Sequence, residues 1–173
     1  EDDLNEIRLK MGMVFQYSAL FDSMSIGDNI AFGLKEHIGL DEISIKKIVK
    51  EKLGLVGLKG IEGDMPNTLS GGMKKRVGIA RAIAIDPQIV LYDEPTSGLD
   101  PINSKVIDEL IMSTKKAIQA TAVVVTHDIK SAFTISDRIA MLHEGSFIIM
   151  GTPEEVKKSE NHVVQNFISG FVT

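Results

Sequence analysis

The sequence predicts an α/β fold with a largely parallel sheet. Two continuous apolar runs, residues 89–92 and 122–125, have the composition of strands that are covered on both faces. Helical patterns lie between and around them, including one that Asn103 is placed to cap and that reaches Ile118. Buried strands that alternate with helices are typical of parallel sheets, whose ligands bind at the carboxyl ends of the strands.

The first half of the chain is predicted to contain one strand followed by two helices. Residues 1–6 are acidic and are expected to form a loop, and alternating apolar residues predict a strand over residues 9–16. Ser25 and Asp41 are each placed to cap a helix, the second of which runs to about Leu53. Each helix has an apolar stripe at helical spacing, formed by Ile26, Ile30, Ala31 and Leu34 in the first and by Ile45, Ile48, Val49 and Leu53 in the second.

The second half continues the alternation and ends in a hairpin and a helical tail. Its predicted elements, besides the two apolar strands and the helix between them, are a helix that begins at Gly72 and that Pro87 ends, a helix over residues 128–135, a hairpin of residues 139–142 and 146–150 around Glu144 and Gly145, a short helix from Pro153, and a helical tail from Asn161.

Composition excludes several classes of protein. The net charge of −5 gives no indication of a nucleic-acid partner. The absence of cysteine excludes disulfides and thiolate metal sites, and it fits a reducing compartment. No apolar run approaches the roughly 20 residues that span a bilayer, and no signal peptide is visible. Because residue 1 is Glu rather than Met, we expect the sequence to be truncated at its N-terminus.

Polar residues follow three of the predicted strands. Gln16 ends the first, Asp93 and Glu94 follow the second, and His127 follows the third. An aspartate at this position can hold Mg²⁺, an adjacent glutamate can polarise an attacking water, and a glutamine can offer its amide oxygen to either. His127 can hydrogen-bond a γ-phosphate or that water. Taken alone, a histidine after a strand is more often structural. Taken alone, the glutamine and the two carboxylates are more often solvated polar groups at a strand end.

The turn Ser70-Gly71-Gly72 opens a predicted helix. Its backbone N–H groups and the helix dipole favour a phosphate, which can approach closely because glycine has no side chain. An ordinary N-cap with flexible glycines explains the same residues. Lys74, Lys75 and Arg76, which follow, could aid anion binding, but we interpret them as a solvated basic helix face.

In their order and spacing these motifs resemble the ABC-transporter ATPase family, over about residues 9–150. The matches are Phe15-Gln16 with the Q-loop, residues 69–73 with the signature motif, residues 89–94 with Walker B and the catalytic glutamate, residues 97–100 with the D-loop, and His127 with the switch histidine. The resemblance implies a partial P-loop NTPase fold, with helices on both faces of a mainly parallel sheet and a helical subdomain over about residues 25–85. It assigns residues 1–152 to the ATPase domain and 153–173 to a C-terminal helical tail.

The resemblance also implies the cofactors, ATP and Mg²⁺, and the residues that handle them. Glu94 and His127 are the expected catalytic residues, and Gln16 and Asp93 are expected at the metal. In the family's head-to-tail homodimer the partner's nucleotide is bound in trans, here by Ser70, Gly71 and Gly72. Asp100 is expected at the nucleotide, coupling the two sites.

Two departures from the family pattern refine the expectation. The signature motif ends in Met73 instead of Gln, which resembles the Mce/Mla-type ATPases that energise transport of phospholipid or another hydrophobic substrate across bacterial envelopes. Residues 15–21 and 164–170 are similar to that subfamily too. The P-loop pattern is absent, since no glycine here is followed by lysine. The family has its P-loop upstream of the Q-loop, so this fragment alone is expected to bind ATP poorly and to be inactive.

Partners and location follow from the same resemblance. We expect a homodimer at the inner face of the cell membrane, cytoplasmic and peripheral, that contacts membrane permease subunits through about Tyr17 to Lys35. A lipid-binding Mce-type subunit is a further expected partner. Two alternatives stay open: the ATPase of an amino-acid or other small-solute importer, and a non-catalytic dimerisation or binding module. The tail from Asn161 is either a dimer contact or a frayed amphipathic end.

Overall fold

The computed structural model describes residues 2–170. Residue 1, which belongs to the predicted N-terminal loop, and residues 171–173, which belong to the predicted tail, lie outside the described part of the chain. The elements are α1 (Asp2–Leu9), β1 (Met11–Val14), α2 (Ile26–His37), α3 (Glu42–Leu55), a 3₁₀ turn (Pro66–Thr68), α4 (Gly71–Ala82), β2 (Ile89–Asp93), α5 (Pro101–Ile118), β3 (Thr121–Val125), α6 (Ile129–Ile135), β4 (Ile139–His143), β5 (Ser146–Gly151), α7 (Pro153–Lys157) and α8 (His162–Ser169).

The predicted parallel sheet is confirmed. Its strands lie in the order β1-β2-β3, and both pairs are parallel. Val14 pairs with Tyr92, and Asp93 pairs with Val125, so the carboxyl ends of all three strands reach the same edge. Helices α1 and α4 contact β1, and α5 contacts β3.

The N-terminal prediction is wrong in two places. Residues 2–6 of the expected loop belong to α1, and the strand expected over residues 9–16 is confined to Met11–Val14 because Leu9 is still helical. Arg8 lies in the last turn of α1, where the negative end of the helix dipole favours a positive charge. Leu9 fits the alternating strand pattern but belongs to α1, so the pattern alone does not show where the helix ends and the strand begins.

Three helices pack on one another beside the sheet: α2, α3 and α4. Both predicted caps are confirmed, since Ser25 Oγ accepts from the Asp28 amide at 3.1 Å and Asp41 accepts from the amides of residues 43 and 44. The two predicted stripes are buried except for Ile48, which is half-buried. The helix predicted to begin at Gly72 begins one residue earlier, and it ends at Ala82, well before Pro87.

Helix α4 comes unusually close to β1. A Cβ added at Gly12 would lie 2.2 Å from the Ala82 carbonyl oxygen, in the last turn of α4, and 3.2 Å from Pro87 Cγ. Only a glycine leaves room for this approach, which fixes the end of α4 against the first strand.

Two predictions about α5 and β3 are also wrong: the residue that caps α5 and the burial of β3. Asp100, not Asn103, caps α5, because its side chain accepts from the amides of Ile102 and Asn103. Strand β3 is not covered on both faces: Val123 is 48% exposed and Val125 is 61% exposed, at the edge of the sheet. Apolar composition alone did not distinguish this edge strand from the central strand β2.

Residues Thr126–Thr173 form a second compact unit, separate from Glu1–Val125. Its predicted hairpin is confirmed, with β4 and β5 antiparallel and with Glu144 (φ 47°) and Gly145 (φ 78°) at the turn. Thr152 and Glu155 form a reciprocal capping box at α7. Val164 of α8 is fully buried, so this part of the tail is packed and not frayed. Among the residues described, no helix is long and apolar enough to cross a membrane. The domain boundary at residue 152 stays a prediction.

Candidate functional site

The structure brings the residues that follow β1 and β2 to one edge of the sheet. Gln16 lies two residues beyond β1, and Asp93 and Glu94 lie at the end of β2. Gln16 Nε2 donates a hydrogen bond to Ser97 Oγ at 3.2 Å, which joins the loop after β1 to the loop after β2. The amide oxygen of Gln16 is then the polar atom of that side chain that a cation or a water can approach.

Glu94 occupies a constrained turn directly after the central strand. Its φ is +45°, a left-handed conformation that costs about 1 kcal/mol for a residue with a side chain. The Glu94 amide donates to the Val125 carbonyl at 2.9 Å, and its own carbonyl accepts from the Ser97 amide at 3.1 Å. The surrounding hydrogen bonds therefore fix the backbone from which the carboxylate projects.

Asp93 ends β2 and is half-buried. No hydrogen bond or ion pair to another of residues 2–170 occupies its carboxylate, which leaves both oxygens for a cation. Within the same residues no group of three or more histidines, aspartates and glutamates is arranged to hold a metal ion. Mg²⁺ is commonly bound by one or two carboxylates with substrate phosphates and water, so Asp93 and the Gln16 amide oxygen have donor chemistry that fits this ion.

A buried lysine that we interpreted as solvated lies between these residues. Lys75 is only 7% exposed, and its Nζ donates to the carbonyl oxygens of Gln16 at 3.0 Å and of Glu94 at 3.4 Å. Burial lowers the pKa of Lys75 from its ordinary value, and the negative charge of Glu94 opposes that shift. Helical spacing could have identified it, since Lys75 lies three and four residues before the buried Gly78 and Ile79.

Helix α4 also holds the loop that follows Gln16. Arg81 donates from Nη2 to the Ser18 carbonyl at 2.7 Å and from Nη1 to the Ala19 carbonyl at 2.6 Å. Ser18 (φ 64°) and Ala19 (φ 45°) are both left-handed, and a Cβ at Gly78 would lie 3.4 Å from Ser18 Cβ. The close packing and the guanidinium together stabilise a backbone turn that these residues rarely adopt alone.

The buried side-chain amide of Asn29 holds the rest of that loop through hydrogen bonds to its backbone. The Asn29 side chain accepts from the Phe21 amide at 2.8 Å and donates to the carbonyls of Phe21, Met24 and Ser25 at 3.0–3.1 Å. Tyr17 is nevertheless 86% exposed. The loop thus presents an aromatic side chain to solvent from a well-ordered backbone.

The start of α4 is open to solvent. Ser70 Oγ accepts from the Met73 amide at 3.3 Å, and a Cβ at Gly71 would meet no atom within 4 Å. A Cβ at Gly72 would lie 3.6 Å from Asn103 Oδ1, which places the N-terminus of α4 beside that of α5. Asp100 caps α5, and its hydrogen bonds with Asn103 hold the pKa of the Asp100 carboxyl below its ordinary value.

His127 belongs to the second unit and is exposed. It lies between β3 and Asp128, whose side chain caps α6 by accepting from the amides of Lys130 and Ser131. Its assignment to the site of Glu94 stays a prediction.

A family model for ABC transporters matches residues 1–97, more than half of the chain. The chain belongs to the ABC transporter ATPase family. This confirms the resemblance drawn from the motifs. The fold agrees as well: the dimeric, post-hydrolysis structure of the ATP-binding cassette MJ0796, bound to ADP and Pi, is 33% identical and superposes with a TM-score of 0.76, covering 88% of this chain and 67% of that one.

Two ABC transporter ATPases with curated names are more similar in sequence. The probable ribonucleotide transport ATP-binding protein mkl of Mycobacterium tuberculosis is 46% identical, covering 97% of this chain and 47% of that protein. The intermembrane phospholipid transport system ATP-binding protein MlaF of Haemophilus influenzae is 42% identical, covering 97% of this chain and 64% of that protein. The chain therefore spans about half to two thirds of the length of these relatives.

Proposed function

We propose that the full-length protein binds and hydrolyses ATP as a subunit of an ABC transporter. The observation that carries this proposal is the shared edge of the sheet, where hydrogen bonds join Gln16 to Ser97 and Lys75 to the backbones of Gln16 and Glu94. Family membership supports the same activity.

The roles of the residues follow from their chemistry and position. Asp93 and the Gln16 amide oxygen hold Mg²⁺, which supplies neutralising charge to the phosphates of ATP. Glu94 orients and polarises the water that attacks the γ-phosphate, from a backbone that the turn keeps fixed. His127 contacts the γ-phosphate and that water, a role that rests on the motif resemblance alone.

The protein acts as a homodimer in which each chain completes the site of the other. Ser70, Gly71 and Gly72 bind the partner's nucleotide, since the open start of α4 offers unshielded backbone N–H groups and the positive end of the helix dipole. Asp100, at the start of the adjacent helix, couples the two sites. The dimeric state of the similar MJ0796 structure supports this arrangement.

The cargo is phospholipid or another hydrophobic substrate of the bacterial envelope. The name of MlaF and the Met73 variant of the signature motif favour this cargo, and the name of mkl makes ribonucleotide the alternative among the relatives. We place the protein at the cytoplasmic face of the membrane, with permease subunits contacting the region from Tyr17 to Lys35, where Tyr17 is exposed on an ordered loop. An Mce-type lipid-binding subunit is the further partner of such a system.

Glu94→Gln in the full-length protein tests the catalytic assignment. Steady-state ATP hydrolysis should fall by about 100-fold or more, since general-base contributions are of that size, while binding of ATP is retained. Glu109→Gln is the matched control, because Glu109 is exposed on α5 and its ion-pair partner among the described residues is Lys105, at 3.9 Å. Unchanged hydrolysis by the Glu94 variant would exclude the assignment. If the wild type binds ATP but does not hydrolyse it, the result would instead favour the non-catalytic binding module.

Transport in vesicles that contain the permease subunits tests the cargo. We expect ATP-dependent movement of a fluorescent phospholipid and none of a labelled ribonucleotide or amino acid. Movement of one of the small solutes alone would replace the phospholipid assignment and leave the ATPase assignment standing.

A further inference from the structure

We propose that Lys75 is a positioning residue for ATP hydrolysis: from helix α4 its ammonium group holds the backbones of Gln16 and Glu94, and so ties both side chains to the helix that Ser70 caps. This inference rests on the proposed function and adds a residue to its site.

The geometry shows why one ammonium reaches both residues. Strands β1 and β2 are adjacent and parallel, so the loops that follow them emerge side by side. Lys75 Nζ lies 3.0 Å from the Gln16 carbonyl oxygen and 3.4 Å from the Glu94 carbonyl oxygen. Each carbonyl belongs to the residue whose side chain the proposed reaction uses. A shift of the ammonium therefore changes the direction in which both side chains project.

Stability gives little reason for a lysine at this place. Burying an ammonium costs free energy, which hydrogen bonds to carbonyls and the nearby Glu94 charge offset only in part. An apolar side chain of similar length would avoid that cost but would leave the Gln16 carbonyl without this donor. What the lysine adds is a directed, charge-assisted contact to two backbones.

The same helix connects this contact to the other half of the site. Ser70 precedes Lys75 by five residues, about 7.5 Å along the axis of α4. Arg81 holds the carbonyls of Ser18 and Ala19 further along the helix. A movement of α4 that follows nucleotide contact at Ser70 is thus transmitted to Gln16, to its loop and to Glu94 as one rigid displacement.

The test compares Lys75→Met, Lys75→Gln and Lys116→Met in the full-length protein. Met removes the donor, Gln restores a neutral one, and Lys116 is an exposed lysine near the end of α5 that controls for loss of charge. Loss of a charge-assisted hydrogen bond should lower kcat by about 10- to 100-fold in the Met variant, with the Kd for ATP changed by less than about threefold. The Gln variant should recover part of that loss, and the control should match the wild type.

Hydrogen exchange supplies a readout that does not depend on activity. The Ser18 amide bonds to the Phe15 carbonyl and the Ser97 amide to the Glu94 carbonyl, so both should exchange faster in the Met variant and not in the control. Unchanged exchange, or faster exchange with unchanged kcat, overturns the inference. So does an equal loss of kcat, ATP affinity and thermal stability without recovery by Gln, which indicates general damage. A wild type without ATP hydrolysis refutes the proposed function and the positioning role of Lys75 in it, while the exchange data still decide whether the contact orders the loops.

Discussion

Replacing Gly12 by alanine should separate β1 from the end of α4. The added Cβ would lie 2.2 Å from the Ala82 carbonyl oxygen, so that backbone group must retreat by more than 1 Å to reach an ordinary contact distance of about 3.5 Å. The obstacle is main chain, and a change of rotamer cannot relieve it. We expect the free energy of unfolding to fall by about 3 kcal/mol, the upper end of the usual cost of overpacking.

Gly54→Ala provides the matched control. A Cβ at Gly54 meets no atom within 4 Å, and the residue lies in the last turn of α3 without a positive φ. The same chemical change should here stabilise the protein by about 0.5–1 kcal/mol, because alanine loses less backbone entropy on folding. Urea unfolding of both variants gives the comparison, provided that m is unchanged. A Gly12→Ala variant within about 0.5 kcal/mol of the wild type would refute the steric argument.

Three further variants test the loop and the caps. Asn29→Leu should destabilise by about 2–3 kcal/mol in urea unfolding, since it leaves the amide and carbonyls of the loop without their buried partner, and a loss below about 0.5 kcal/mol would contradict this. Arg81→Met should cost about 2 kcal/mol and speed hydrogen exchange at Ser18, whereas unchanged exchange would show that packing alone holds the turn. The pKa of Asp100 is lowered in the folded state, so its carboxylate stabilises the fold above its ordinary value of 3.8, and this stabilisation is lost as the pH falls through that value toward the folded pKa. Asp100→Asn, which still caps α5, should therefore show a shallower loss of stability between pH 5 and 3 (approximately), and an unchanged slope would assign that loss to other carboxylates.

Local signals in the sequence were sufficient for most elements of the fold. Caps such as Ser25 and Asp41, and apolar stripes at helical spacing, depend on residues within one or two turns, and the structure confirms them. The cap of α5 was misassigned because Asp100 and Asn103 are both good capping residues, and only the backbone decides between them. The exposure of β3 depends on its place at the sheet edge, which apolar composition does not encode.

The candidate site was predictable as far as its motifs extend. Asp93 and Glu94 lie at the end of β2 as expected, whereas Gln16 lies two residues beyond the end of β1. All three reach one edge of the sheet because parallel strands place their carboxyl ends together. Lys75 was missed because a lysine beside two other basic residues is usually solvated, and its burial depends on contacts with residues 16 and 94, which are 59 and 19 positions away. Helical spacing relative to Gly78 and Ile79 indicates that Lys75 lies on the buried face of α4, but its two carbonyl partners have no local signature.

The contacts of α4 limit how the length of the chain can vary. Lys75 and Arg81 contact different neighbours from one continuous helix that Ser70 caps, so the relative angles of these three residues are set by their separation in sequence. Inserting one residue between them would rotate everything after it by about 100° and advance it by about 1.5 Å, which removes the later contacts all at once. The glycine-rich connection over residues 56–63 is not helical, so an insertion there does not rotate the following residues by a fixed angle. We therefore expect natural insertions and deletions to accumulate there and to be absent between residues 70 and 81.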